Sequence, residues 1–187
     1  MPHRIHITGA PGAGKTTIGN MLAGRLGVSH IDVDELAWEV TEPPYQKKTE
    51  PHFRREKLSE IVASQESWVL SGSVHYWGNE FFAYCTLIVL VVAPTNTRLK
   101  RLESREKAKL GSRIEPGGDL YQMHKCFIDK AQLYDLGSPN VRSLSRDKNW
   151  LKEYPDNSIC VDGSMALDLI VEKVIGASSD CYRVQPA

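Results

Sequence analysis

The residues best suited to chemistry form one glycine-rich stretch near the start of the chain. Gly9-Ala10-Pro11-Gly12-Ala13-Gly14-Lys15-Thr16, followed by Thr17, has the spacing G-x-x-x-x-G-K-T of the P-loop, a phosphate-binding motif. Its backbone N–H groups can point at phosphate oxygens, Lys15 can reach the β- and γ-phosphates, and the Thr16 hydroxyl can ligate Mg²⁺. The alternative is an ordinary glycine turn that matches the motif by chance, and the probability of such a match in a chain of this length is on the order of 1%. We expect ATP to contact Gly9, Gly12, Ala13, Gly14, Lys15, Thr16 and Thr17.

The elements on either side of this loop would position it correctly. Residues 3–8 read as a short strand with Ile5 and Ile7, and residues 18–26 carry apolar side chains at helical spacing. The loop then lies at the N-terminus of a helix, whose partial positive charge favours an anion.

Two carboxylates follow a second predicted strand, residues 28–34. Alternation places Asp32 and Asp34 on one face, and ligands of open α/β sheets bind beyond the carboxyl ends of the strands. Asp32 could hold Mg²⁺ through water, and Asp34 could orient or deprotonate an acceptor hydroxyl. With a phosphate as acceptor, Asp34 would be a contact only. The alternative is that Asp34 merely caps the helix that begins at Glu35.

An acceptor-binding segment is predicted between residues 35 and 65. A short helix, a proline-interrupted loop and an amphipathic helix over residues 52–64 follow one another. Arg54 and Arg55 lie near the start of the second helix. They could bind a phosphate or carboxylate of the acceptor, or lie on a solvated helix face.

The third predicted strand, residues 67–73, ends in a glycine turn. Ser71 occupies the position where many P-loop enzymes carry the Walker B aspartate, which leaves more of the metal binding to Thr16 and Asp32. The next residues, 74–78, are rich in aromatic side chains. Trp77 could stack on a substrate ring or fill the core, and His75 could act in acid–base chemistry or make a local hydrogen bond.

A basic segment follows the fourth strand, the apolar run at residues 84–94. Residues 98–113 contain seven basic and two acidic side chains in a protein of zero net charge. A mobile lid over residues 101–118 could close over the transferred phosphate, exclude water and compensate its charge. Arg101, Arg105 and Arg113 are the candidates, with a solvated helix face as the alternative.

The last third of the chain continues the alternation of helix and strand. We predict a helix capped by Asp119 that runs to about residue 136, a break at 137–140 and a short helix ending near Glu153. A fifth strand with its exit loop at 157–164 and a helix at 165–175 follow. Arg142 and Arg146 flank the short helix, and either could approach phosphates or remain at the surface. Residues 176–187 lack periodicity and should be frayed or loosely docked.

Composition indicates one globular domain, residues 1–175. The 187 residues carry 23 basic and 23 acidic side chains, which argues against nucleic acid as a partner. No apolar run reaches a membrane span, and no secretory leader pattern is present. The four cysteines are widely spaced and do not suggest a zinc site. Cys85 and Cys160 fall in predicted strands and should be buried thiols. Because thiols persist in a reducing compartment, the cytoplasm is the expected location.

The order of these motifs resembles the adenylate kinase/shikimate kinase branch of P-loop small-molecule kinases. It is also similar to adenylate-kinase-related and topology-modulation-type proteins, which are labelled ATPases. The resemblance covers residues 3–175 and implies a three-layer α/β/α sandwich with a five-stranded parallel sheet in the order 2-3-1-4-5. It also implies that Asp32 helps to hold Mg²⁺ and that Asp34 contacts the acceptor hydroxyl. Further implied contacts are to adenine from Asp162, Gly163 and Ser164, and to the acceptor from Ser71, Gly72 and Ser73.

The function expected from residues and resemblance is transfer of the γ-phosphate of MgATP to a small molecule. A nucleotide, nucleoside or other hydroxylated metabolite is the expected acceptor, and the protein would be a monomer or homodimer. Two alternatives remain at this point. One is a regulatory ATPase acting on a protein or nucleic-acid partner, which Ser71 mildly favours, and the other is a resistance kinase that modifies a drug hydroxyl.

Overall fold

Five parallel strands form the central sheet of the protein. The computed structural model describes residues 2–74, 77, 80–137 and 142–184. The strand order is β2-β3-β1-β4-β5, which confirms the predicted fold class and topology. The strands are β1 Arg4–Gly9, β2 Ser29–Asp32, β3 Trp68–Ser71, β4 Leu87–Val92 and β5 Ser158–Asp162.

Helices cover both faces of this sheet. One core joins β1 and β4 to α1 and α7, and a second joins β3 to α2, α3 and α6. The described helices are α1 Lys15–Leu26, α2 Val33–Ala37, α3 Pro51–Ala63, α4 Thr95–Leu110, α5 Tyr121–Leu136, α6 Leu144–Leu151 and α7 Leu167–Val184, with short 3₁₀ turns at Glu80–Tyr84 and Gly111–Ile114.

The central strands are buried on both faces, as parallel sheets require. In β4 every residue from Leu87 to Val91 is fully buried, which explains why this stretch is continuously apolar rather than alternating. In β1, Ile5 and Ile7 face the first core. The alternate residue His6 is also buried and donates from Nε2 to the Gly72 carbonyl at 3.0 Å. That bond joins the start of the phosphate loop region to the turn after β3.

Some local predictions were wrong. The last helix does not end at Ile175 but continues to Val184, because Ser178 lies on the same buried face as Val174. Cys85 is buried but precedes β4, and Cys160 lies in β5 but is exposed. Its exposure follows from the position of β5 at the edge of the sheet. Within the described residues, no helix combines the length and apolar character needed to cross a membrane.

Candidate active site

The P-loop connects the end of β1 to the start of α1. Gly14 is the N-cap of α1 in the left-handed conformation, with φ 100°, and no side chain caps the helix. A Cβ on Gly12 would collide with the Arg98 carbonyl, so the loop can lie against α4 only with glycine there. The uncapped first turn leaves backbone N–H groups for an anion. These residues therefore fit the phosphates of a nucleotide.

Lys15 is the cation at the centre of this loop. Its Nζ donates to the Ala10 carbonyl at 2.8 Å. Burial, and after it the positive charge of Arg142, lowers the pKa of Lys15 to about 8, although the negative charges of Asp34 and Asp32 act in the opposite direction. A phosphate group beside Lys15 would stabilise the charged form.

Asp32 and Thr16 present oxygen atoms to one point beside the loop. Thr16 donates from Oγ1 to Asp32 Oδ2 at 3.1 Å, and Asp32 Oδ1 accepts from the Asp34 backbone N–H at 3.0 Å. Asp32, and not Asp34, is therefore the N-cap of α2. Hydroxyl and carboxylate oxygens fit Mg²⁺. No three His, Cys, Asp or Glu side chains of the described residues gather into a metal site, so phosphate and water would supply the remaining ligands.

The Asp34 carboxylate faces several cations. Partial desolvation and the neighbouring Asp32 raise its pKa, while Lys15, Arg105 and Lys109 act in the opposite direction. The side chain nevertheless remains accessible to solvent. An accessible carboxylate with a raised pKa, beside the phosphate-binding lysine, can accept a proton from a hydroxyl.

The three candidate lid arginines occupy different places. Arg101 donates to the Gly163 carbonyl at 3.0 Å and thus bridges α4 and the turn after β5. Arg105 pairs with Glu106 at 2.8 Å, and its charge acts on both Lys15 and Asp34.

Arg113 connects the lid to the acceptor-binding segment. It pairs with Asp119 and with Glu42, each at 2.7 Å. Nearby, Lys109 donates to the Tyr45 hydroxyl at 2.5 Å. The structure therefore brings the charge of Arg105 close to Lys15 and Asp34, places Arg101 beside the turn after β5, and pairs Arg113 with Glu42 of the proline-rich loop.

The turn after β5 packs directly against the P-loop. Asp162 Oδ1 accepts from the Ser164 backbone N–H at 2.8 Å and from its hydroxyl at 2.6 Å, and these bonds lower the pKa of Asp162. A Cβ on Gly163 would come within 2.7 Å of the Ala13 carbonyl. The close approach places this turn on the same side of the loop as Arg101.

Arg54, on the predicted acceptor side, has a guanidinium nitrogen without a partner among the described residues. Arg54 is half-buried, and its guanidinium lies 5.1 Å from the centre of the Trp77 ring. Within the described part of the chain, its buried Nε has no hydrogen-bond partner. Arg55 is exposed. Trp77 itself is half-buried beside Arg54, and His75, Tyr76 and Gly78 lie outside the described residues.

The turn after β3 is held by two histidines. The buried Ser71 hydroxyl is hydrogen-bonded to His30 Nε2 at 2.9 Å, and the Gly72 carbonyl accepts from His6. Ser73, the third residue of the turn, is half-buried. Ser71 is thus engaged by a neighbouring strand, and the accessible part of this turn is Ser73.

The sequence left the roles of two basic residues undecided. Arg142 donates to the Thr8 hydroxyl at 2.8 Å, and its charge acts on Lys15, whereas Arg146 is exposed on α6. Lys109 belongs to the basic segment, and its charge acts on Asp34. The sequence analysis did not predict a role for Lys109, because its spacing does not differ from that of the other basic residues in the segment. The roles of Arg142, Arg146 and Lys109 become distinct only in the folded protein, which brings residues far apart in the chain into contact.

Comparison with known proteins gives the family. A family model described as an AAA domain matches residues 5–116, which is more than half of the chain. The chain belongs to this AAA domain family. The protein is also 33% identical to the uncharacterized protein YqaC of Bacillus subtilis over 175 residues. The aligned region covers 94% of this chain and 97% of YqaC.

Other similarities connect this AAA domain protein to kinases. It is 36% identical to a putative adenylate kinase of Methanocaldococcus jannaschii over 54% of this chain and 58% of that protein. The solved shikimate kinase of Aquifex aeolicus has the same fold, with a TM-score of 0.54 at 18% identity, over 97% of this chain and 99% of that one. The predicted resemblance to the adenylate kinase/shikimate kinase branch is therefore confirmed, and the protein is related to P-loop kinases.

Proposed function

We propose that the protein is an ATP-dependent kinase that transfers the γ-phosphate of MgATP to a hydroxyl group of a small molecule. The observation that carries the proposal is the position of Asp34, whose carboxylate interacts electrostatically with Lys15 and with Arg105 and Lys109 of α4. A proton acceptor beside the phosphate-binding lysine is what transfer to a hydroxyl needs.

The nucleotide-binding residues divide into two groups in this proposal. The P-loop N–H groups and Lys15 bind the phosphates, and the turn at Asp162–Ser164, with Arg101 beside it, lies where the base would bind. Thr16 and Asp32 would hold Mg²⁺. When bound, Mg²⁺ neutralises negative charge on the phosphate oxygens.

Asp34 would act on the acceptor. As the acceptor oxygen forms its bond to the γ-phosphorus, the bond to the β-phosphate oxygen breaks, ADP leaves, and the hydroxyl proton moves to Asp34. The raised pKa of Asp34 favours this proton transfer. Arg105, which now pairs with the acidic Glu106, would compensate the charge of the transferred group.

The chemistry of the acceptor site favours a molecule with an anionic group or a flat ring. Arg54 offers a guanidinium whose Nε has no hydrogen-bond partner among the residues that the structure describes, and Trp77 lies against the same guanidinium. A nucleoside, a nucleotide or a hydroxylated acid would use these groups. Arg55 is exposed and would contribute only at the rim.

The proposal is tested by ADP release from MgATP with and without possible acceptors. The panel contains nucleosides, nucleoside monophosphates and hydroxylated acids, and the Lys15→Ala variant measures release that does not depend on the P-loop. We expect one class of compound to raise the rate well above the background. A slow rate that no compound changes would contradict the proposal and favour a regulatory ATPase.

A further inference from the structure

The proline-rich loop, residues 38–48, has its two ends joined to each other. Trp38 and Lys48 form an antiparallel bridge, and the Glu39 backbone N–H donates to the Lys47 carbonyl at 3.0 Å. The side chains of Glu39 and Lys47 also form an ion pair at 2.9 Å. The loop therefore leaves the domain and returns to it at one place, and its middle residues are held between joined ends.

Tyr45 lies in the middle of this loop in an unusual backbone conformation. Its φ of 65° falls in the left-handed region, which residues other than glycine rarely adopt. The half-buried ring packs edge-on against the ring of Trp38, with the two ring centres 5.7 Å apart. Since Trp38 stands at a joined end, the loop itself fixes the position of the Tyr45 hydroxyl.

The middle of the loop contacts the predicted lid at two points. The Tyr45 hydroxyl accepts from Lys109 Nζ at 2.5 Å, and Glu42 pairs with Arg113 at 2.7 Å. The Glu42 side chain is exposed, and exposed ion pairs contribute little to stability. The contact of Lys109 with the fixed Tyr45 hydroxyl is therefore the more specific of the two.

Lys109 connects this loop to the reactive side of the site. The loop begins directly after α2, the helix that carries Asp34, and Lys109 belongs to α4. The charge of Lys109 acts on Asp34. An exposed lysine has many rotamers of similar energy, and restricting them costs entropy. The hydrogen bond to Tyr45 restricts this ammonium group to one place, from which its charge reaches Asp34.

We propose that Tyr45 is a positioning residue, which holds Lys109 of the lid near Asp34 and thereby joins the acceptor-binding segment to the lid. The inference rests on the proposed function and deepens it, because it names the contact through which a nucleotide under the lid affects the acceptor side. A nucleotide that restrains the lid then also restrains the proline-rich loop. By reciprocity, an acceptor bound beside this loop strengthens nucleotide binding by the same factor.

Hydrogen exchange of the full chain, followed by mass spectrometry, tests the inference. Exchange is measured with and without a saturating concentration of the magnesium complex of AMP-PNP, a non-hydrolysable ATP analogue. The variant Tyr45→Phe keeps the ring beside Trp38 and removes only the hydroxyl that accepts from Lys109. Tyr84→Phe is the matched control, because Tyr84 is an exposed tyrosine outside both the proline-rich loop and the lid.

In the unaltered protein and in Tyr84→Phe, the nucleotide should slow the exchange of residues 38–48 about 5-fold or more. In Tyr45→Phe this slowing should fall below about 2-fold, whereas residues 9–17 remain protected by the bound nucleotide. Lys109→Met should act like Tyr45→Phe, and the double variant should show no further loss, because both changes remove the same hydrogen bond.

Two results would overturn the inference. In the first, the nucleotide protects residues 9–17 of the unaltered protein but leaves residues 38–48 unchanged. In the second, Tyr45→Phe speeds the exchange of the loop in the free protein while the slowing by the nucleotide persists. Tyr45 would then only stabilise the loop.

The same measurement separates this inference from the proposed function. If the nucleotide protects the loop through Tyr45 but the protein phosphorylates no acceptor, the inference stands and the proposed function fails. If an acceptor is phosphorylated and the loop is not protected, the proposed function stands alone. If the unaltered protein does not bind the nucleotide, both are overturned.

Discussion

Raising the pH from 7 to 9 should weaken MgATP binding about tenfold, because the pKa of Lys15 is lowered to about 8 in the folded protein. Burial is the main cause, and the charge of Arg142 adds to it. With this pKa, about 90% of the Lys15 side chains are charged at pH 7 and about 10% at pH 9. Phosphate binds the charged form, so the average number of protons taken up with each bound nucleotide rises from about 0.1 at pH 7 to about 0.9 at pH 9.

Calorimetry in buffers of different ionisation enthalpy measures both the affinity and this proton uptake. At pH 8 about half a proton should be taken up per bound nucleotide. The Lys15→Ala variant should bind weakly, with an affinity that does not change between pH 7 and 9. An affinity of the unaltered protein that stays constant up to pH 9, without proton uptake, would refute the reasoning about Lys15.

Three further predictions concern residues with separate roles. Asp34→Asn should leave ATP affinity within about 3-fold but slow phosphoryl transfer by about 100-fold or more in a steady-state assay, and unimpaired transfer would reduce Asp34 to a binding contact. Arg98→Met should lower the free energy of unfolding by about 3 kcal/mol in urea titrations. The reason is that the variant loses a buried guanidinium that donates to three backbone carbonyls. Lys100→Met, at an exposed position of the same helix, is the control and should have little effect. Arg113→Ala should reduce kcat by about 10-fold and leave the free energy of unfolding nearly unchanged, since its carboxylate partners are solvent-exposed; a large loss of stability with normal kcat would assign it a structural role instead.

The candidate phosphate site was visible in the sequence because its residues are close together in the chain. Residues 9–17 are consecutive, and the motif assigns a role to the glycines, the lysine and the threonine. The placement of Thr16 and Asp32 near each other agrees with the parallel sheet, which brings the carboxyl ends of all its strands to one edge. The strand order followed from the family resemblance rather than from the residues alone.

The roles of individual arginines were not predictable. Spacing in the basic segment could not show that Arg101 would contact Gly163 or that Arg113 would pair with Glu42, 71 residues away in the chain. Arg142 reaches Thr8 over 134 residues. Such contacts depend on how the helices pack on the sheet, which periodicity does not define.

The end of the last helix shows a different limit. Small and polar residues after Ile175 made the segment resemble a frayed tail, but Ser178 is fully buried and its hydroxyl lies 3.1 Å from His3 Nδ1. A serine on a buried helix face carries no apolar signal in the sequence. The contact with the start of the chain supplies the stabilisation that periodicity did not reveal.

The most direct test of the account is the fate of the γ-phosphate. Phosphorus NMR of a reaction that contains MgATP and the compound that stimulates ADP release would identify the product. The account predicts a new phosphomonoester resonance that grows at the rate of ADP formation and is strongly reduced with Asp34→Asn. Inorganic phosphate as the product, at the same rate with and without the compound, would contradict it.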